Sequence, residues 1–187
     1  EALGDYLRAL RAIPDQLLLV EHDEVVTLGR RTPEGAATGL DLPVVEIERG
    51  GDATWHGPGQ LVLYPIVALP EGRRDLHRYL RDLEEVALRT CAAVGVRGER
   101  REGLTGVWAG GRKVCSIGVA VRRWVAWHGL ALNVSNDLTD FERFRPCGLE
   151  PGTMGRLADL TEIPAGDPRL EQAAEAAFRA VFGYPGG

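Results

Sequence analysis

Apolar residues recur along this chain in two distinct rhythms. Short apolar runs at Leu17–Val20, Val25–Leu28, Val44–Glu48 and Leu61–Leu69 predict strands, the first of them buried. Val25–Leu28 is expected to pair with Leu17–Val20 across a turn at Glu21–Glu24. Farther on, Cys115, Ile117, Val119 and Val121 alternate with other residues, which puts them on one face of a strand. Gly110-Gly111, between Thr105–Ala109 and Arg112–Val121, reads as a hairpin turn. Arg122-Arg123 then leads into another strand, Trp124–Val134.

The second rhythm is helical. Leu3, Tyr6, Leu7 and Leu10 mark one face of Ala2–Ala12. Leu76, Leu80, Leu83, Ala87, Cys91 and Val94 make a core-facing stripe on Asp75–Val94, with Gly95 as its C-terminal cap. Leu170, Ala173, Ala174, Ala177, Phe178 and Val181 do the same for Asp167–Phe182. Gly29–Asp41 and Asn133–Pro146 read as loops, and Asp159–Pro164 is ambiguous. Hairpins without regular strand–helix–strand units predict an α+β fold with a mixed, largely antiparallel sheet and flanking helices. A length of 187 residues predicts one domain, residues 1–187.

One stretch breaks both rhythms. Arg49-Gly50-Gly51-Asp52-Ala53-Thr54-Trp55-His56-Gly57-Pro58-Gly59-Gln60 lies between two strand-like runs. Its glycines allow close backbone approach, and it carries a cation, a carboxylate, a hydroxyl, an indole and an imidazole. A binding loop accounts for this mixture; a long hairpin connection with a solvated tip is the alternative.

Composition narrows the function. A net charge of −5 argues against nucleic acid as the main partner. Without a membrane-length apolar run or an opening signal-peptide pattern, the expected location is the cytoplasm. The chain begins at Glu1 rather than Met, which leaves room for preceding residues. Three cysteines without CxxC spacing make a disulfide framework or a zinc site unexpected. Of 22 basic residues, 21 are arginine and one is Lys113. An amine can lose its proton where a guanidinium cannot, so the lone lysine is a candidate for proton chemistry unless it is a chance survivor.

The cysteines differ in setting. Cys91 and Cys115 fall on apolar faces and read as core thiols. Cys147, in Arg143-Phe144-Arg145-Pro146-Cys147-Gly148, lies outside any periodic element, beside arginines that favour a thiolate. It is either a nucleophile or a small buried loop residue. A thiol nucleophile needs a basic neighbour; Lys113, His56 and His128 qualify. His56 and His128 lack metal-ligand spacing, and His22 and His77 read as solvated.

The loop Arg49–Gln60 resembles the signature loop of the lipoyl (octanoyl) transferases. The likeness continues in Gly111-Arg112-Lys113-Val114-Cys115-Ser116-Ile117-Gly118, in His128-Gly129-Leu130-Ala131-Leu132-Asn133 and in Pro146-Cys147-Gly148. The resemblance implies a fold similar to the biotin/lipoate protein ligase catalytic domain. It implies transfer of an octanoyl group from acyl carrier protein to a lysine of lipoyl domains, those of 2-oxoacid dehydrogenase complexes and the glycine cleavage H protein. It makes Cys147 the acyl-thioester nucleophile and Lys113 the residue that lowers its pKa. Substrate contacts fall to Arg49, Gly50, Gly51, Asp52, Ala53, Thr54, Trp55 and His56, to Ser116, Ile117 and Gly118, and to Gly129, Leu130 and Ala131, with His128 and Asn133 as auxiliaries. Trp55 stands where the family commonly has Tyr, its ring expected to wall an acyl tunnel, and Cys115 occurs in some relatives. No cofactor is implied, because a thioester is already activated.

In that scheme Lys113 or His56 takes the proton of the incoming target lysine. Acidic carrier and lipoyl domains would meet a basic face drawn from Arg97, Arg100, Arg101, Arg112, Arg122, Arg123, Arg143 and Arg145, about half of them ordinary solvated charges. Two rivals stand beside it: an ATP-dependent lipoate or biotin ligase, which needs no thiol, and a non-catalytic docking module.

Overall fold

The computed structural model describes residues 14–36, 39–142, 152–164 and 166–185. The helix expected at Ala2–Ala12 lies outside them. Among the described residues eight strands form two sheets. β1 (Gln16–Val20), β5 (Gln60–Ala68), β7 (Arg112–Arg122), β8 (Val125–Asn133) and β6 (Val107–Ala109) make an antiparallel sheet in the order β1-β5-β8-β7-β6. β2 (Val25–Leu28) is the centre of a second sheet, parallel to β3 (Val44–Glu46) and antiparallel to β4 (Thr54–His56).

Three strand expectations need correction. β2 does not pair with β1. The Glu21–Glu24 connection has no glycine or asparagine for a tight hairpin turn, and β1 takes β5 as its partner. β1 is also not buried: it is the sheet's edge, and Leu18 is exposed. Within the glycine-rich stretch, Thr54–His56 is a strand rather than loop, buried along its whole length.

Helix α1 (Leu76–Ala93) and helix α3 (Pro168–Phe182) cover one face of the larger sheet. Asp75 caps α1 by accepting from Arg78 N–H, and Gly95 leaves it at φ +78°. Asp167, Pro168 and the left-handed Gly183 delimit α3 in the same way. Leu76 is exposed and not part of the stripe; Tyr79 takes the buried place one turn on. A short helix, α2 (Thr139–Glu142), follows β8 inside the stretch Asn133–Pro146 expected to be loop. Cys91 and Cys115 are fully buried in the core, as their spacing predicts. Burial pushes the Cys91 thiol up to about 12 and Cys115 higher still, so neither forms a thiolate at working pH. The larger core includes Leu63, Leu83, Val86, Leu130 and Phe178; a smaller one holds Val26, Ala53, Trp55, Phe141 and Met154.

Candidate functional site

The face of the larger sheet away from α1 and α3 carries a cleft of about 460 Å3, counting its open mouth. Register explains why it is open. Val62, Ala131 and Ser116 lie side by side on β5, β8 and β7, and Gly129 faces Gly118 one step along. Four of these five residues are small, so neighbouring strands present a trough where side chains would otherwise meet. Ile117 and Leu130, between the small residues, pack into the core on the other face.

The second sheet and its loops wall the trough. Thr54 and His56 of β4 face the cleft, while Trp55 between them turns to the smaller core and meets Phe141 edge-on at 5.6 Å. The Trp55 ring therefore does not wall the cleft. Arg49 is buried and anchored through Nη2, which donates to the Thr27 carbonyl at 2.9 Å and to Thr27 Oγ1 at 3.0 Å. Gly50 N–H donates to the Val119 carbonyl at 2.9 Å, tying this loop to β7. The approach is close: a Cβ on Gly118 would lie 3.0 Å from both Arg49 Cδ and the Gly50 carbonyl oxygen.

The cleft thus gathers Arg49, Gly51, Thr54, His56, Ser116, Ile117, Gly118, His128, Gly129, Leu130 and Ala131, eleven residues singled out by sequence. Gly50, Asp52 and Ala53 stand beside it rather than in its lining, and Asn133 is buried beyond Gln60. Ile47, Val62 and Tyr64 line it without having been singled out. The last two sit on one face of a strand already expected, so only the missing register hid them. His22 is not a free surface residue. Its Nε2 bonds Tyr64 Oη at 2.8 Å, and its ring lies 5.6 Å from that of His56. His77 is exposed, as expected.

His56 is neutral at working pH. Burial lowers it to about 4, against the opposing bond from Nδ1 to Gln60 Oε1 at 2.7 Å. His128 is also lowered by burial. It adopts φ +59°, where pairing between β5 and β8 lapses opposite Pro65, a residue with no N–H to give. Its Nε2 is buried with no partner among the described residues.

Lys113 stands near the start of β7, 5% exposed, its ammonium 5.4 Å from the centre of the Trp108 ring. Its side chain runs past Gly106, where a Cβ would come within 2.7 Å of Lys113 Cε. Its backbone is clamped by the segment after the undescribed stretch: Lys113 N–H donates to the Thr153 carbonyl, and Gly155 N–H to the Lys113 carbonyl. Cys147, Arg143 and Arg145 lie outside the described residues. Of the expected basic face, Arg100 is taken up by Glu84 and Glu85, and Arg101 by the Gly111 carbonyl and Trp108; Arg97, Arg112 and Arg122 are exposed. Among the described residues no group of three or more His, Cys, Asp or Glu could hold a metal ion, and no helix is long and apolar enough to cross a membrane.

Residues 2–181 match the family model described as the lipoyl protein ligase A/B catalytic domain. An octanoyltransferase of Geobacter sulfurreducens is 56% identical over 135 residues, which is 72% of this chain and 57% of that protein. An octanoyltransferase of Thermosynechococcus vestitus is 48% identical over 92% of this chain and 77% of its own length. In fold, a lipoate-protein ligase A bound with ATP superposes with a TM-score of 0.76 at 14% identity, over 93% of this chain and 76% of that one. A biotin protein ligase from Aquifex aeolicus gives 0.54 at 10%, over 88% and 70%.

Proposed function

The chain belongs to the lipoyl protein ligase A/B catalytic domain family, within which it is an octanoyltransferase of protein lipoylation, and from that premise we propose how it works. Residues 1–187 form one catalytic domain, working in the cytoplasm. Octanoyl-acyl carrier protein is the donor, and lysines of lipoyl domains, in 2-oxoacid dehydrogenases and the glycine cleavage H protein, are the acceptors. Cys147 is the nucleophile. Its thiolate adds to the thioester carbonyl, the carrier thiol leaves, and the octanoyl chain stays on sulfur until the target amine displaces it. Lys113 holds the thiolate with its charge and returns a proton to the departing carrier thiol.

The observation that carries this reading is the trough of Ser116, Gly118, Gly129 and Ala131. It is a mostly apolar slot with backbone and small side chains for a floor. An unbranched acyl chain suits such a slot. Arg49, Gly51, Thr54 and His56 form the slot's wall, and Gly50, Asp52, Ala53 and Trp55 stand beside it, outside the lining. Lys113 suits its role because its amine is kept from bulk water over an indole face.

Intact-protein mass spectrometry after mixing with octanoyl-acyl carrier protein tests the scheme. One octanoyl adduct is expected, removed by hydroxylamine and absent in Cys147→Ala. Lys113→Met should form it at least about 100-fold more slowly, the scale of a lost acid–base group. Full transfer activity in Cys147→Ala would refute the scheme.

A further inference from the structure

Buried amides join the cleft to the strand that carries Lys113. Gln60 opens β5, Asn133 closes β8, and the two are register partners, each 1% exposed. Asn133 Nδ2 donates to the Gly155 carbonyl at 3.0 Å. A carbonyl only accepts, so the amide's orientation is fixed and its Oδ1 faces Gln60. Gln60 Nε2 donates to that Oδ1 at 2.9 Å and to the Trp55 carbonyl at 3.3 Å. Gln60 Oε1 is therefore the atom that meets His56 Nδ1 at 2.7 Å. An amide oxygen has no proton to give, so Nδ1 carries the hydrogen and Nε2 keeps its lone pair. The ring lines the cleft. Gly155, at the far end, donates its own N–H to the Lys113 carbonyl.

We infer that Gln60 and Asn133 are positioning residues for the second half of the reaction, holding His56 as the Nδ1–H tautomer so that Nε2 receives a hydrogen bond from the amine attacking the octanoyl thioester. This rests on the transfer scheme above. As the amine nitrogen bonds to the acyl carbon, the C–S bond to Cys147 breaks with its electron pair on sulfur. The proton that the nitrogen sheds crosses to Nε2 and on to water. The imidazole is too weak a base to strip a free ammonium. It acts once the forming C–N bond has acidified the nitrogen. The first half of the reaction has no amine and no use for this arrangement.

Nitrogen-15 spectra of the histidine rings in the intact chain test the tautomer, with His56 assigned by loss of its signals in His56→Gln. A protonated Nδ1 and a bare Nε2 are expected throughout the neutral range; a protonated Nε2 overturns the inference, with no variant needed. Gln60→Met then removes the acceptor while keeping the side chain's length. Transfer from preformed octanoyl-enzyme to a lipoyl domain should slow by about tenfold or more, the usual cost of losing an outer partner. Octanoyl-enzyme formation should stay within about twofold. Equal slowing of both halves, or no slowing in a variant whose tautomer has changed, overturns the inference. Failure of the unaltered chain to form octanoyl-enzyme would instead sink the transfer scheme.

Discussion

Glu84 offers the sharpest test of how the Lys113 side of the molecule is held. It sits on the buried face of α1, its side chain 1% exposed. Oε1 accepts the Gly106 N–H at 3.1 Å, while Oε2 accepts Arg81 Nη1 at 2.6 Å and Arg100 Nε at 3.1 Å. Glu84→Ala leaves the Gly106 N–H buried without an acceptor, which costs about 1–3 kcal/mol. The two arginine heads are 50% and 37% exposed, and water replaces the carboxylate there, so each lost pair is worth at most about 1 kcal/mol. The removed methylene adds about 0.8 kcal/mol. The whole loss is about 2–6 kcal/mol, a fall in melting temperature of roughly 2–4 °C per kcal/mol for a chain of this size. Glu84→Gln keeps both the bulk and an oxygen for Gly106, and should lose only about 1 kcal/mol. Urea titration followed by circular dichroism gives both values. The gap between the variants contains the Gly106 bond and the removed methylene. If Ala and Gln variants unfold within about 0.5 kcal/mol of each other, the bond is worth nothing and the reasoning fails. Gly106 also borders Lys113 Cε, so Glu84→Ala should slow octanoyl-enzyme formation at temperatures where it remains folded.

Two further outcomes follow from the cleft. Ala131→Leu adds three carbons to the trough floor and should displace about three acyl methylenes at about 0.8 kcal/mol each, a drop of roughly 50-fold in kcat/KM for octanoyl donors. Pentanoyl donors should be nearly unaffected, and an equal fall for both chain lengths would place the acyl chain elsewhere. His56 should make stability depend on pH. Desolvation lowers it to about 4, while its bond to Gln60 opposes this and His22, Arg49 and His128 nearby reinforce it. The unfolded ring, near 6.5, binds a proton that the folded ring refuses, so stability is full above about 6.5 and falls as pH drops toward 4, by at most about 3 kcal/mol. Unfolding free energies of the His56→Leu variant should lack that component; an unchanged slope would show that His56 titrates normally.

The sequence reveals the two long helices, Leu76–Ala93 and Pro168–Phe182, and one hairpin through local chemistry. Asp75, Gly95, the Asp167-Pro168 pair and Gly183 punctuate their helices as caps do. Gly110 and Gly111 both take the positive φ that a two-residue hairpin turn requires. Arg123 and Trp124 make a similar turn between β7 and β8 without glycine, at φ +50° and +64°, and there only the flanking apolar pattern marks the reversal. Strand partners are another matter. Nothing local tells Val25–Leu28 to leave Leu17–Val20 and lie between Val44–Glu46 and Thr54–His56, because the choice is made by which faces can be buried together. β4 is three residues long, too short for any period to register, and its glycine-rich surroundings read as loop.

The same distinction separates the parts of the site. Arg49, His56 and Lys113 stand out by type and setting, since a buried cation or imidazole is costly unless something uses or satisfies it. Ser116, Gly118, Gly129 and Ala131 stand out only by resemblance, because small residues in strands are chemically mute. They acquire meaning when Ser116 falls beside Ala131 and Gly118 beside Gly129, which turns four unremarkable positions into one channel. Gln60 and Asn133 are the limiting case. Each is a buried amide that satisfies its neighbours, and each is intelligible only through the other: the Gly155 carbonyl orients Asn133, Asn133 orients Gln60, and Gln60 decides which nitrogen of His56 is bare. A chemical property of the cleft is thereby set by a backbone oxygen three bonds of the network away, on the segment that also clamps Lys113.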